Sequence, residues 1–320
     1  MGEIPTRGPG TSFLAHRAML WGLCYRLTGC AADADDIVQD TFVRAIENAG
    51  GGEWSRAWLV KVASNLALDV LRRRRRRGYA GPWLPSPVAS ETDQGRILSE
   101  TLVDADRSPE TRYETLESVS FAFLLALEAL GPKPRAVLLL RDVFGYSARE
   151  TADVLAMSDA NVRVVLHRAR RAMESYDRTR VPATSALEES TRHALVELVR
   201  CLNAQDSRGL ERLLAASVTT VTDAGGEYNA LRSPLSGRDR VMTFHLRVAQ
   251  RRGPGSSVDL CTINGTPAVR IEFGDSRRRA APSAVLRCEL DHEGRIRTLH
   301  SVLASRKLTA AGFWRESARV

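Results

Sequence analysis

Long hydrophobic runs are missing from this sequence of 320 residues. Its longest apolar stretch, residues 121–130, is roughly half as long as a membrane-spanning helix must be, and it contains Glu128. The opening residues, MGEIPTRGPGTSF, also lack the apolar centre of a signal peptide. We therefore expect a cytoplasmic protein that has no membrane segment.

Cysteines are few, odd in number and scattered along the chain. No Cys-x-x-Cys pair is present, and no paired histidine spacing suggests zinc. This pattern argues against a disulfide framework and against a metal-binding module, so we expect reduced, buried thiols and neither a metal nor a cofactor. The five cysteines are Cys24, Cys30, Cys201, Cys261 and Cys288.

The chain carries an excess of basic residues, with a formal net charge of +8. Such an excess favours a polyanionic partner, of which nucleic acid is one and an anionic membrane surface is another. Hydrophobic residues make up 43% of the sequence, which is enough for folded cores, and the length suits two or three domains.

The pattern of apolar residues divides the chain into a helical part and a mixed part. Residues 11–77 and 119–178 read as helices, and an acidic stretch rich in Pro, Gly and Ser separates them. The C-terminal third has two helical segments, a later helix and short strands. The helices are predicted at about 186–203, 206–214 and 237–250, and the strands at 217–222, 257–263, 267–273, 283–290 and 295–302.

Residues 147–175 carry the pattern of a helix-turn-helix. Ser147 and Glu150 form a capping box for a first helix, and Ser158 or Asp159 caps the second helix after a tight turn. The second helix has an apolar side, and its other side is basic with no acid between positions 160 and 173. That side suits the DNA major groove, although a solvated basic face is the alternative. Its residues are Arg163, Val164, His167, Arg168 and Arg171.

The helix at 58–77 presents an amide in the middle of a basic face. Lys61, Asn65, Arg72 and Arg76 share this face, and Leu59, Val62, Leu66 and Val70 are predicted to form the apolar stripe. Positive charge suits a phosphate backbone and an amide suits the edge of an unpaired base, so this face is a candidate for binding single-stranded DNA.

The helix at 33–48 has an acidic side and an apolar side. Asp36, Gln39 and Asp40 lie on the acidic side, which suits a basic protein partner better than DNA. By itself this helix is better explained as a solvated charged face. The residues predicted to be buried are Val38, Thr41, Phe42, Ala45 and Ile46.

Together the stretches DADDIVQDTFVRAIEN, RAWLVKVASNLALDVLRRRRRR and LGPKPRAVLLLRDVFGYSARETADVLAMSDANVRVVLHRARRAM resemble regions 2 and 4 of sigma-70 family factors, and most closely the extracytoplasmic-function (ECF) subfamily. The segment GYAGPWLPSP resembles the signature of a subgroup with a SnoaL-like C-terminal extension. The resemblance implies a multidomain fold: two all-α sigma domains followed by an α+β, cone-shaped domain of the ketosteroid-isomerase type. The implied boundaries are 8–78 for region 2, 79–118 for a linker, 119–178 for region 4 and 186–312 for the extension.

The resemblance also implies partners and roles. Such a factor is not an enzyme; it binds core RNA polymerase and promoter DNA, directs transcription initiation, and is expected to be a monomer when free. Asp36, Gln39 and Asp40 would bind polymerase, the Asn65 face would capture the −10 element, and the Arg163 face would read the −35 element. The acidic linker 91–117 would thread the basic channels of the polymerase, a hypothesis that rests on charge alone.

Two motifs depart from the subgroup's pattern. Residues 223–227 read DAGGE where a DGGGK-like motif is usual, and residues 304–308 read ASRKL where an NPDKL-like segment is usual. Regulatory contacts made by those motifs are therefore in doubt here. The prolines after Gly78 nevertheless predict an extended segment, with Trp83 and Leu84 as a latch onto the C-terminal domain.

Two other classes of function remain open from the sequence. One is a one-component helix-turn-helix regulator with a ligand-binding domain, which would need neither the helix at 33–48 nor the Asn65 helix. The other is a SnoaL-type enzyme fused to a DNA-binding module, because the fold hosts isomerases as well as binding domains. Candidate acid–base residues exist, but no spacing motif connects them: Asp223, His245, Asp259 and His300. The expected role of this domain is regulation in cis, with a small-molecule ligand that it could sense.

Overall fold

The computed structural model describes residues 9–47, 54–103, 117–179, 184–253, 257–274 and 279–313. By its internal contacts the chain forms two compact units. The N-terminal unit combines Met1–Arg77 with Asp93–Arg180, and the C-terminal unit combines Gly78–Thr92 with Val181–Val320. The predicted linker 79–118 is therefore divided between the two units, while its function stays a prediction.

The first part of the N-terminal unit is a helical bundle: α1 (Pro9–Thr28), α2 (Ala31–Glu47), α3 (Arg56–Arg77) and α4 (Asp93–Val103). Gly29, with a φ of 66°, ends α1 in the left-handed conformation that glycine adopts without steric cost. The fully buried Trp21 stacks on Tyr25 within α1 at a centroid distance of 5.2 Å. The helix α4, which the sequence did not predict, packs on α1 and buries Ile97 and Leu98.

The second part of this unit contains the predicted helix-turn-helix. It begins with a 3-10 turn (Glu117–Val119), α5 (Phe121–Ala126) and a second 3-10 turn (Leu127–Ala129). It continues with α6 (Pro132–Asp142), α7 (Ala148–Leu155) and α8 (Asp159–Thr179). Helix α6 packs on α1 and α3, and α7 packs on α3, so the two helical parts form one unit.

The C-terminal unit is α+β. It contains α9 (Ser185–Asn203), α10 (Ser207–Leu213), β1 (Leu214–Asp223), β2 (Leu235–Ser236), α11 (Arg238–Arg252), β3 (Ser257–Ile263), β4 (Thr266–Glu272), β5 (Ser283–Leu290) and β6 (Ile296–Val302). The strand order is β2-β1-β6-β5-β4-β3; β1 and β6 are parallel, and the other neighbours are antiparallel. The five strands predicted from the sequence are present within three residues at each end, and only the two-residue β2 was missed.

The helices of this unit cover one face of the sheet with a hydrophobic core. Leu195 and Leu198 of α9, Val218 of β1, Leu286 of β5 and Leu299 of β6 are buried in that core. Successive side chains of a strand point to opposite faces of the sheet, so these strand residues all lie on the face that the helices cover. They form the hydrophobic core of the C-terminal unit.

All five cysteines are buried and free, as predicted. Burial raises the pKa of the Cys261 thiol to about 11 and that of Cys288 to about 12, so both stay protonated at neutral pH. None of the helices in the described ranges combines the length and apolar character needed to cross a bilayer.

Candidate nucleic-acid interface

The second helix of the helix-turn-helix, α8, presents the predicted basic face to solvent. Arg163, His167, Arg168 and Arg171 are exposed, and the side chain of Val164 between them is 49% exposed. The opposite side of the helix is buried through Val162, Leu166, Ala169 and Met173. All five predicted residues therefore lie at the surface.

One ion pair and one N-terminal cap hold α8 in position. Arg170 donates two hydrogen bonds to the fully buried carboxylate of Asp142 on α6, at 2.9 and 2.7 Å. Such a bidentate pair fixes the rotation of α8 about its axis and so determines which side faces outward. Ser158 caps α8, because its Oγ accepts from the backbone N–H of Asn161 at 3.3 Å.

The capping box of α7 is formed as the sequence predicted. Ser147 accepts from the N–H of Glu150 at 3.2 Å, and Glu150 accepts from the N–H of Ser147 at 2.7 Å. These hydrogen bonds hold the pKa of Glu150 below its usual range. At the other end of α7, Ala156 adopts a left-handed φ of 50° and starts the tight turn into α8.

The basic face predicted on α3 is exposed along its length. Lys61, Asn65, Arg72 and Arg76 are all exposed, whereas Leu59 and Leu66 are buried. The apolar stripe differs in detail from the prediction. Val62 and Val70 are only half-buried, and other residues complete the buried side: Val60, Ala63, Ala67, Leu68 and Leu71.

One arginine of the run Arg72–Arg77 does not belong to this face. At 100° per residue, Arg74 lies on the opposite side of α3 from Asn65. Its guanidinium donates to the carbonyl of Thr28 at 2.9 Å and pairs with the carboxylate of Glu128 at 2.9 and 3.1 Å. The sequence did not reveal this pairing, since the partners lie far from Arg74 in the chain.

The acidic face of α2 is also exposed. Asp36, Gln39 and Asp40 are exposed, and so is Val43 at 45%. The prediction that Ile46 is buried is wrong, because its side chain is 53% exposed; Ile37 lies in the core instead. The last turn of α2 therefore adds apolar surface beside the acidic residues.

The segment Gly78–Thr92 is built into the C-terminal unit through a buried ion pair. Asp223, at the end of β1, is fully buried and accepts from Tyr79 Oη at 2.6 Å and from the backbone N–H of Leu84 at 2.7 Å. Lys307 Nζ lies 2.5 Å from the same carboxylate and also donates to the carbonyl of Leu84.

Two aromatic rings enclose the ammonium group of Lys307. Its Nζ lies 4.6 Å from the ring centroid of Tyr79 and 4.2 Å from that of Trp83. These distances are typical of cation–π interactions, which strengthen when the cation is desolvated. Lys307 is only 4% exposed. The predicted latch thus contacts the C-terminal domain: Trp83 contacts Lys307, and Leu84 contacts Lys307 and Asp223.

The two glycines of DAGGE explain how the segment approaches so closely. Gly225 and Gly226 both have positive φ, and a Cβ on Gly226 would lie 2.9 Å from the Cβ of Ala80. A larger residue would therefore strain the backbone and clash with the segment. Glu227, which replaces the usual lysine, accepts from the backbone N–H of Ser305 at 3.2 Å. Asp223 and Lys307, which the two departing motifs retain, make the ion pair.

Further along, the segment adds to the free edge of the sheet. Ala89 forms an isolated antiparallel bridge with Ile263 of β3, and Ser90 N–H donates to Thr262 O at 3.1 Å. Glu91 then pairs with Arg270 of β4 at 2.5 Å.

Two other acids of the predicted linker 79–118 make described side-chain contacts: Asp93 pairs with Arg96, and Glu117 accepts from Tyr176 at 2.8 Å. The acids at positions 104, 106, 110 and 114 lie outside the described residues.

Each of the four candidate acid–base residues of the C-terminal domain has its own hydrogen-bond partner. Asp223 is occupied by the latch, and Asp259 is on the edge strand β3, where it accepts from Ser257 at 3.0 Å. No hydrogen bond joins any of the four to another among the described residues. Nor does the described part of the chain contain a cluster of three or more His, Cys, Asp or Glu that could hold a metal ion.

Of the two candidate histidines, His300 is buried and His245 is half-buried, and both have low proton affinity. His245 hydrogen-bonds Thr220 at 3.0 Å, and burial lowers its pKa to about 4. His300 contacts Arg287 through Nδ1 at 3.0 Å; burial, and then the guanidinium charge, lower its pKa to about 3. Both rings are therefore neutral at pH 7.

Comparison with known proteins assigns this architecture. Residues 13–77 match Sigma-70 region 2, and residues 120–173 match Sigma-70, region 4. The chain is 34% identical over 261 residues to the ECF RNA polymerase sigma factor SigJ of Mycobacterium tuberculosis, covering 80% of this chain and 78% of SigJ. The chain belongs to the ECF sigma factor family.

Two further comparisons agree. The ECF RNA polymerase sigma factor SigG of Mycobacterium tuberculosis is 35% identical over 227 residues, covering 67% of this chain and 61% of SigG. The crystal structure of SigJ matches with a TM-score of 0.68 and 28% identity, covering 94% of this chain and 98% of that one. The match extends through the C-terminal unit, so this ECF sigma factor shares the whole domain order with SigJ.

Proposed function

We propose that this ECF sigma factor reads the −35 element with the exposed face of α8. The support is a basic surface with no acid between positions 160 and 173, on a helix whose orientation is fixed by the Arg170–Asp142 pair. In this proposal Arg163 donates two hydrogen bonds to a guanine edge, and the exposed Val164 contacts a thymine methyl group. Arg168 and Arg171 flank this pair and suit phosphates.

The face of α3 has a different task in this proposal. Asn65 captures an unpaired base of the −10 element, while Lys61, Arg72 and Arg76 follow the backbone. Exposure of all four side chains along one side of a single helix supports the assignment. Sequence selection then belongs to α8 and Asn65, and the arginines contribute affinity without selection.

The acidic face of α2 is the proposed site for core RNA polymerase. Asp36, Gln39 and Asp40 supply charge, while the exposed Val43 and Ile46 supply apolar area at the same surface. An acidic patch with exposed apolar residues at one end is suited to a basic, partly apolar protein surface.

The C-terminal domain is proposed to regulate the sigma regions in cis by holding the segment Gly78–Thr92. That segment follows α3 directly and precedes α4, so whatever holds it limits how the two sigma regions are connected. The Asp223–Lys307 pair and its aromatic neighbours support this role. The proposal does not require a small-molecule ligand.

Reconstitution with core RNA polymerase tests the assignment of sites. Transcription from a genomic promoter library should lose selectivity for −35 sequences in Arg163→Ala and should decline on all promoters alike in Arg72→Gln/Arg76→Gln. Asp40→Ala should weaken binding to core polymerase but not the choice of promoter. If Arg163→Ala reduced all promoters equally, or if the double variant lost some promoters only, the division of labour would be wrong.

A further inference from the structure

Helix α11 of the C-terminal unit carries arginines on the side that faces away from the sheet. On its inner side Val241 is fully buried, and Leu246 packs partly buried against the core. At 100° per residue, Arg240, Arg247 and Arg251 lie within about 40° of one another on the opposite side of the helix, and all three are exposed. We call these three residues the α11 stripe.

No described residue neutralises the α11 stripe. None of its three guanidiniums makes an ion pair within the part of the chain that the structure describes, and Asp239 is the one acid of α11. Helix α9 of the same unit differs, because there Arg192 pairs with Glu189 and Arg200 pairs with Glu197, each within a single helical turn. The charge of the α11 stripe is therefore available to a partner.

The stability of α11 does not account for the positions of these arginines. Arg240 lies in the first turn, where the helix dipole disfavours a cation. Arg247 and Arg251 are four residues apart, and like charges at this spacing destabilise a helix. Only Arg251, in the last turn, is favoured by the dipole. A line of cations that weakens its own helix is typical of a surface that binds a polyanion.

Further positive charge lies at the C-terminal end of α11. Arg252 donates to the carbonyl of Ala281 at 2.8 Å and lies over the ring of Phe273 at 4.2 Å, so the chain near residue 281 is held against the end of the helix. That part of the chain carries the exposed Arg279. The positive potential along the α11 stripe therefore increases toward Arg251.

Duplex DNA is the polyanion that suits this surface. From residue 240 to residue 251 the stripe extends over about 17 Å, which matches the rise of about five base pairs. A single strand would need an exposed aromatic ring for stacking, but Phe244 is half-buried and contacts His245 edge to face. A membrane surface would need several bulky apolar side chains, and Val248 is the one large hydrophobic residue of α11 that is exposed.

We propose that the α11 stripe binds the phosphate backbone of promoter DNA, as a DNA-binding surface additional to those on α3 and α8. It adds affinity without reading sequence, because a cation that contacts phosphate carries no information about the base. The C-terminal domain then has two tasks, which are to hold Gly78–Thr92 and to bind DNA. This inference does not depend on which residues read the −35 and −10 elements.

Binding of the full-length protein to a duplex of random sequence, measured at several salt concentrations, tests the proposal. Arg247→Gln/Arg251→Gln should reduce the slope of the logarithm of affinity against the logarithm of salt concentration by about two, and should weaken binding at about 0.1 M salt by at least about tenfold. Arg247→Lys/Arg251→Lys keeps both charges and should bind nearly as the parent does, which separates loss of charge from misfolding.

A matched variant removes the same charge elsewhere in the C-terminal unit. Arg192→Gln/Arg295→Gln replaces two surface arginines that already have acidic partners, Glu189 and Glu293. It should change the slope by less than half as much. Vesicles of phosphatidylcholine and phosphatidylserine provide the second probe, and all of these variants should bind them as the parent does.

Cleavage of promoter DNA by a tethered iron chelate locates the contact in the complex with core RNA polymerase. Gln250→Cys places the chelate at an exposed position on α11, and the five native cysteines are buried. The chelate should cut one defined stretch of the promoter. Arg247→Gln/Arg251→Gln in the same chain should reduce this cutting severalfold.

The proposal is overturned if Arg247→Gln/Arg251→Gln keeps the slope of the parent. It is equally overturned if Arg192→Gln/Arg295→Gln lowers the slope as much, since the effect would then follow net charge alone. Loss of vesicle binding without loss of duplex binding would assign the stripe to a membrane surface instead. Complexes that initiate transcription without cutting from position 250 would also contradict it. A wrong −35 assignment would appear separately, as an unchanged sequence preference in Arg163→Ala.

Discussion

Two neighbouring segments of this chain use positive charge in opposite ways. The arginine run Arg72–Arg77 displays its charges in water, apart from Arg74, and belongs to the N-terminal unit. The next segment, Gly78–Thr92, belongs to the C-terminal unit and encloses a single cation, Lys307, between Tyr79 and Trp83. Exposed charge suits reversible binding of DNA, whereas the enclosed charge contributes to a stable tertiary contact.

The largest expected effect concerns the enclosed charge. Asp223→Ala leaves Lys307 buried without its counter-ion and removes the acceptor of Tyr79 and Leu84. Loss of one member of a buried pair typically costs about 3–5 kcal/mol. Denaturant unfolding should show this loss in the C-terminal unit, while Glu227→Gln, at a more exposed acid of the same motif, should change stability by less than about 1 kcal/mol.

The next-largest effect is expected in the pH dependence of the stability of the C-terminal unit. His300 has a pKa of about 3 in the folded protein and about 6.5 in the unfolded chain. Its depressed pKa means that the unfolded state takes up a proton first, so stability is unaffected above pH 6.5 and falls as the pH drops below it. At pH 5 the loss from one such histidine is about 2 kcal/mol.

The control for this titration is His300→Gln, in which acid sensitivity of the C-terminal unit between pH 6.5 and 5 should decrease. Part of the sensitivity should remain, because burial also lowers the pKa of His245. If the slope of stability against pH were unchanged in the variant, His300 would not be the neutral buried base that its surroundings indicate.

On the exposed side of the comparison, Arg163→Ala should weaken binding to the preferred −35 duplex by about 1–3 kcal/mol. Binding to unrelated duplex DNA should change much less. Competition binding at fixed salt measures both quantities. Arg168→Ala, at a residue proposed to contact phosphate, provides the contrast, since it should weaken both duplexes by similar factors.

The smallest effects are expected at the capping box and in the arginine run. Ser147→Ala should destabilise the N-terminal unit by about 1 kcal/mol, as measured by thermal unfolding.

Arg76→Gln should leave stability unchanged but reduce the slope of the logarithm of DNA affinity against the logarithm of salt concentration by about one. A change of preferred sequence in Arg76→Gln would contradict a role limited to the backbone.

Much of the fold could be predicted because its signals are local. The Ser147–Glu150 capping box, the alternation of apolar residues in the strands and the basic side of α8 each depend on residues within a few positions of one another. The exposure of Asn65 and its basic neighbours followed from helical periodicity in the same way. The prediction that Ile46 is buried was wrong because helical periodicity identifies the apolar face of α2 but not how much of that face other helices cover.

The sequence by itself determined most of the helices and strands, the two sigma regions and the side chains that α3 and α8 present. Only the tertiary structure decided that Asp223 pairs with Lys307, 84 residues away, and that Arg74 pairs with Glu128, 54 residues away. The physical reason is that a charge of either sign is compatible with solvent at nearly any surface position. Which charges are desolvated and paired depends on how distant segments pack, and that information is not contained in local periodicity.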